Sequence, residues 1–348
     1  MDFGGADEIR FERIGKAGVV TLTRPKALNA LTHGMVKALA KALAHWAEDD
    51  SVSLVIVKSE GRAFCAGGDI LDVYRARDEG RDASGFFADE YRMNAQLARF
   101  AKPYVCLIDG IVMGGGVGIS GHGSHRVMTE NAVLAMPEVG IGFFPDVGGS
   151  YLLSRVRGSF GMYLGLTGGR IRAGDALFAG LATHSVASSD LAGLFDALVE
   201  TGDPDSALKP FLRTPDRETD EAALHRIGRY FGYETLDDIV ADLQAAATGQ
   251  DDFAKASLAT LLTRSPTSLK VTFRAIKAGA MLSMDECMEM EYRVLRRMLE
   301  GHDLYEGIRA ALIDKGSTPT WRPSSLDDVS EAVVDGYFAA PPDGGLGL

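Results

Sequence analysis

Gly61-Arg62-Ala63-Phe64-Cys65-Ala66-Gly67-Gly68-Asp69-Ile70 and, some fifty residues on, Met113-Gly114-Gly115-Gly116-Val117-Gly118-Ile119-Ser120 are the two stretches on which the fold turns. Each follows a short apolar run, Leu54-Val55-Ile56-Val57 before the first and Tyr104-Val105-Cys106-Leu107-Ile108 before the second. Strand, glycine loop and helix therefore recur. Two acids follow, in Met136-Pro137-Glu138 and in Phe144-Pro145-Asp146-Val147-Gly148-Gly149. Two loops that each aim a bare N–H at one point make an oxyanion hole, and carboxyls beside it supply acid–base or nucleophilic chemistry.

Working outward, Val19 to Thr23 reads as a strand stopped by Pro25, and Leu31 to Trp46 carries apolar residues at helical spacing. Asp69 stands where a helix N-cap belongs, a helix covers about Phe86 to Phe100, and residues 126–128 and 133–136 are short strands. These units predict an α/β fold with helices covering a mainly parallel sheet. Beyond Thr167 the texture turns helical, with segments near 191–198, 221–230, 236–246, 253–262 and 284–299. Pro204 and the Pro210-to-Asp216 stretch punctuate the change, so a core of 1–210 and a mainly helical region of 211–348 are expected.

The 348 residues carry 36 Lys plus Arg against 48 Asp plus Glu, a net charge of −12 that opposes non-specific nucleic-acid binding. The three cysteines, Cys65, Cys106 and Cys287, are scattered, which indicates neither a disulfide framework nor a thiolate metal site. Cys65 reads as loop packing rather than as a nucleophile. The start lacks the basic and apolar regions of a signal peptide, is too acidic for a transit peptide, and no apolar stretch nears the roughly twenty residues that span a bilayer. A cytoplasmic protein with no membrane partner is expected.

Two partial motifs are set aside. Gly116-Val117-Gly118-Ile119-Ser120-Gly121 satisfies GxGxxG but lies late in the chain, without a βαβ unit of the usual length. Gly118-Ile119-Ser120-Gly121-His122 misses the serine-hydrolase elbow by one residue. No His, Asp and Glu cluster has metal-ligand spacing, so no metal is expected.

Phe64 to Asp69 and Gly114-Gly115-Gly116 resemble the oxyanion-hole loops of the crotonase (enoyl-CoA hydratase/isomerase) superfamily. The likeness continues through Arg126 to Glu130, Ala135 to Glu138, Ile141 to Gly149, Leu166 to Gly168 and Asp303 to Ala310, and ends at Trp321-Arg322-Pro323. Together these resemble the 3-hydroxyisobutyryl-CoA hydrolase branch. The resemblance implies a superhelical ββα core, a C-terminal region that completes the acyl pocket, and acyl-CoA substrates with CoA as part of the substrate and no separate cofactor. It implies trimers or hexamers, so a homo-oligomer is possible, although the enlarged C-terminal region could oppose that packing.

By position, the resemblance makes Gly68 and Gly115 the two N–H donors. Hydratases of the superfamily hold water with two glutamates, one falling at Glu138 and the other at Gly118, which has no side chain to hold it. Asp146, eight residues beyond Glu138, is the hydrolase-like replacement. The expected activity is thioester hydrolysis, with Glu138 as nucleophile or general base, Asp146 as proton donor or water orienter, and Glu90 accepting from a substrate 3-hydroxyl. On the residues alone Glu90 reads by default as a solvated helix face, and Asp146 reads equally as a turn or cap. Enoyl-CoA hydration or isomerisation is the rival activity. A non-catalytic RNA-binding paralogue is opposed by the acidic charge and the acid pair.

Overall fold

The structure, a computed structural model, describes residues 1–341 and 344–348. Its Cα atoms gather into two compact units that interleave along the chain. The first comprises Met1–Asp69, Asp89–Ala135 and Arg170–Glu218, and the second Ile70–Ala88, Met136–Gly169 and Thr219–Leu348, so neither is one continuous stretch such as 1–210.

In the first unit the described strands are β1 (Ile9–Ile14), β2 (Ala17–Leu22), β3 (Leu54–Ser59), β4 (Ala63–Cys65), β5 (Tyr104–Ile108), β6 (Ile111–Met113), β7 (His125–Met128), β8 (Val133–Ala135) and β9 (His184–Ser185). They form one sheet in the order β1-β2-β3-β5-β7-β9 and a second in the order β4-β6-β8. Only β1 and β2 pair antiparallel. Each winding of the chain thus lays one strand in each sheet, which is the expected ββα superhelix.

The strands β2, β3 and β5 are buried along most or all of their length, which is why they read as unbroken apolar runs rather than as alternation. Val19, Ile56, Val105 and Val127 pack against Leu194 and Leu198 of the Leu191–Thr201 helix. Against β2 lies the wholly buried Trp46 of the His33–Glu48 helix, and a Cβ at Gly18 would stand 2.6 Å from its ring. Thr32 caps that helix by accepting from the Met35 N–H.

The second unit is helical because its sequence supplies starts at the right intervals. Asp220, Thr235, Asp251, Ser265 and Ser283 each take a backbone N–H of the helix that follows, and Ser283 with Glu286 forms a capping box. The Pro266–Gly279 helix lies close against the Gly149–Ser154 helix, where a Cβ at Gly279 would come within 2.4 Å of the Ser150 carbonyl oxygen. Met288, Met290 and Met298 are core residues of the Met284–Glu300 helix, whereas Met281 is exposed.

Candidate active site

In the first unit the two glycine loops lie side by side. Leu31 pairs with Gly68 as an isolated parallel bridge: the Leu31 N–H donates to the Gly67 carbonyl at 2.8 Å, and the Asp69 N–H donates to the Leu31 carbonyl at 2.9 Å. In such a bridge the middle residue's own N–H faces away from Leu31. Arg24 fixes the loop's far end, its guanidinium 3.0 Å from Asp69 Oδ2. Asp69 thus precedes its helix, Ile70–Asp78, as expected, with its carboxylate also tied to Arg24.

The second loop runs from β6 into a short helix, Gly115–Gly121. Gly114 takes φ 49° and ψ −123°, a conformation that glycine alone adopts without strain. Val117 and Gly118 both donate to the Gly114 carbonyl, while Gly115, at the first helical position, keeps its N–H outside the helical ladder. A Cβ at Gly115 would lie 2.6 Å from Glu90 Oε1 and 3.1 Å from the Gly68 nitrogen. Gly68, Gly115 and Glu90 are therefore brought together, and this cluster can present two backbone donors and a carboxyl to one small group. Glu90 is buried, which removes the solvated-face alternative. Cys65 is buried beneath the loop with its thiol pushed up to about 12 by desolvation, so it packs rather than attacks.

The second unit holds the other two acids. Glu138 opens a single helical turn, Glu138–Ile141, and is buried. That turn is hemmed in on several sides. A Cβ at Gly142 would strike the Asp303 carbonyl oxygen at 2.3 Å, one at Gly307 would strike Ile141 at 2.2 Å, and one at Gly168 would sit 3.1 Å from the Pro137 Cα. Arg264 spans the same region and donates to the Thr167 carbonyl at 2.7 Å.

Asp146, also buried, begins a tight turn closed by the Gly149 N–H donating to its carbonyl at 2.7 Å. Inside the turn Val147 has φ +52°, a left-handed conformation that a β-branched residue rarely adopts. Gly148 N–H and both donors of Ser150 go to Glu291, a wholly buried acid of the Met284–Glu300 helix. Sequence reasoning covered that helix but passed over Glu291. Its signal was present: Cys287, Met288, Val294, Leu295 and Met298 form the buried stripe, and Glu291 is an acid within it.

Relatives of known name share this chain along nearly its whole length. The 3-hydroxyisobutyryl-CoA hydrolase, mitochondrial, of Danio rerio is 44% identical over 98% of this chain and 91% of its own. That of Xenopus laevis is 45% identical over 94% and 88%. Among solved structures, one described as a carnitinyl-CoA dehydratase from Mycobacterium thermoresistibile superposes with a TM-score of 0.91 at 42% identity, covering 97% of this chain and 98% of its own. The mitochondrial names of the animal relatives overturn the expectation of a cytoplasmic protein. That expectation rested on the composition of the first residues and on the lack of a membrane-length apolar stretch, and neither specifies a compartment. No described helix is long and apolar enough to cross a membrane. The family described as enoyl-CoA hydratase/isomerase matches residues 17–338, and it is to this family that the chain belongs.

Proposed function

We propose that this enzyme hydrolyses 3-hydroxyisobutyryl-CoA or a similarly short, branched 3-hydroxyacyl-CoA to the free acid and CoA, the thioester cleavage of valine breakdown. The observation that carries this reading is the acid pattern: a glycine at 118, buried in the Gly115–Gly121 helix, with Asp146 supplied eight residues after Glu138. The hydrolase names of relatives 44–45% identical support it.

Gly68 and Gly115 supply the two N–H groups that hold the thioester oxygen as it gains charge. Such donors act chiefly in the transition state, where that charge is greatest. Glu138 and Asp146 supply proton transfer. Glu138 either takes a proton from the attacking water or attacks the carbonyl carbon itself, after which water hydrolyses the resulting anhydride. In both routes the C–S bond breaks and the sulfur leaves with a proton that Asp146 delivers or directs. Glu90 accepts from the substrate 3-hydroxyl, and the helices after 211 shape the acyl pocket. The reaction so written needs no group beyond the substrate and water.

Free-thiol release from 3-hydroxyisobutyryl-CoA, compared with isobutyryl-CoA, tests the assignment. The hydroxylated substrate should have the higher kcat/KM, by about tenfold or more, because a buried acceptor left unmatched weakens binding. No thiol from either would overturn the proposal. The dehydratase name of the Mycobacterium thermoresistibile structure favours a second reading, addition or removal of water at an enoyl-CoA.

A further inference from the structure

Glu291 has no exposed surface, and the reaction above leaves it without a task. Its Oε2 accepts from the Gly148 N–H at 2.8 Å, and its Oε1 accepts from the Ser150 N–H at 2.9 Å and the Ser150 hydroxyl at 2.5 Å. All three donors lie just beyond Asp146 and Val147. The left-handed φ of Val147 costs free energy and persists only where its surroundings over-determine it. Two oxygens meeting three donors suit an acceptor-only carboxylate. A glutamine here would face the Gly148 N–H with its own NH2.

We propose that Glu291 is a positioning residue for Asp146: it grips the chain on the far side of Val147, and so holds the strained turn and the Asp146 carboxyl in the orientation that the reaction uses. The proposal rests on the role given to Asp146 above.

The grip has a pH signature. Burial pushes the Glu291 carboxyl up to about 8, and the Asp146 charge adds to the rise, while the bonds from Ser150 and Gly148 favour the charged form. Ionisation therefore strengthens the three bonds to the turn as the pH rises through that value, while the buried charge costs the fold stability. Other titratable groups around the helix are raised by burial, paired, or bonded to backbone carbonyls. Cys287, one turn back, is raised to about 11 by burial. Beside the Gly149–Ser154 helix, Arg155 donates to the Gly279 and Leu282 carbonyls. On the Pro266–Gly279 helix, Lys270, Arg274 and Lys277 pair with Asp237, with Glu331 and Asp335, and with Glu234. On the Asp303–Ile308 helix, Asp303 accepts from Ser265 and Glu306 pairs with Arg309. On the Glu331–Phe338 helix, Tyr337 is raised by burial.

The test compares Glu291→Gln and Ser150→Ala with the parent in thiol release from 3-hydroxyisobutyryl-CoA between about pH 6 and 9.5, the window around a raised carboxyl. In the parent, kcat should carry a rising limb near pH 8. Glu291→Gln should lower kcat at least about tenfold, keep KM within about threefold, and abolish the limb. Ser150→Ala, a smaller change that leaves the Glu291 carboxyl in place, should move the limb to higher pH because a bond to the charged form is gone. A parental kcat and limb in Glu291→Gln, or a loss confined to KM, would overturn the proposal. The backbone amide shifts of Gly148 and Ser150 in substrate-free protein give a readout independent of turnover. They should titrate together near pH 8 in the parent and stay flat in Glu291→Gln. Flat shifts in the parent would overturn the grip, whereas a parent that releases no thiol but shows the amide titration would instead sink the hydrolase reading.

Discussion

Gly115 is required by what surrounds it rather than by its own backbone angles. Any side chain there would push against Glu90 Oε1 and the Gly68 nitrogen, two groups of the proposed site. Gly115→Ala should therefore lower kcat by about 10²–10³, the cost typical of one lost oxyanion donor, with the thermal melt little changed. Steady-state thiol release beside circular dichroism checks this. Glu138→Gln is close to isosteric and removes the acid–base or nucleophilic group, so turnover should fall by about 10²–10⁴ at nearly constant KM; activity within a few-fold of the parent would remove Glu138 from the mechanism. These positions were legible because glycine-rich loops after strands are conspicuous and because the flanking words resemble a known family. For Glu291 the sequence could show burial, as an acid within an apolar stripe, but not its role, which lies in bonds to residues more than a hundred positions away.

Among elements, the strands and helices that the apolar runs announced mostly lie within about two residues of their expected ends, the usual uncertainty of an element end. The Phe86-to-Phe100 helix, for example, is Ser84–Ala98. Of the second sheet only one strand was anticipated, as residues 133–136. Its strands are three residues each, Ala63–Cys65, Ile111–Met113 and Val133–Ala135, too short to show a period and set beside glycine loops or turns. The turn that carries Glu138 also depends on an element far along the chain. A Cβ at Gly307 would lie 2.2 Å from the Ile141 carbonyl group, so backbone must move to admit it. Gly307→Ala should cost about 1–3 kcal/mol, as overpacking does, and should lower kcat together with the melting temperature. A melt lowered without loss of kcat would separate that contact from the site.

At the scale of the whole molecule, the chain does not divide where its texture changes. Segments 70–88 and 136–169 join the late helices in one compact unit: the loops bearing Glu138 and Asp146 pack on the Asp303–Ile308 and Met284–Glu300 helices, and Tyr74 and Arg77 lie against Tyr305. That association is invisible to composition. Burying Glu291 also gives stability a pH dependence. Its folded pKa, about 8, stands above the ordinary 4.5, so its stabilising contribution is complete below about 4.5 and is lost as the pH rises through 8. The melting temperature of the parent relative to Glu291→Gln should therefore fall across that window, and a difference that does not vary with pH would contradict the assignment. The central claim is that Gly118 with Asp146 makes this member of the family a hydrolase. Its most direct test is free-thiol release from 3-hydroxyisobutyryl-CoA measured alongside absorbance loss from crotonyl-CoA, in one preparation. Thiol release with crotonyl-CoA left intact is the predicted result; crotonyl-CoA consumed with no thiol released would contradict it.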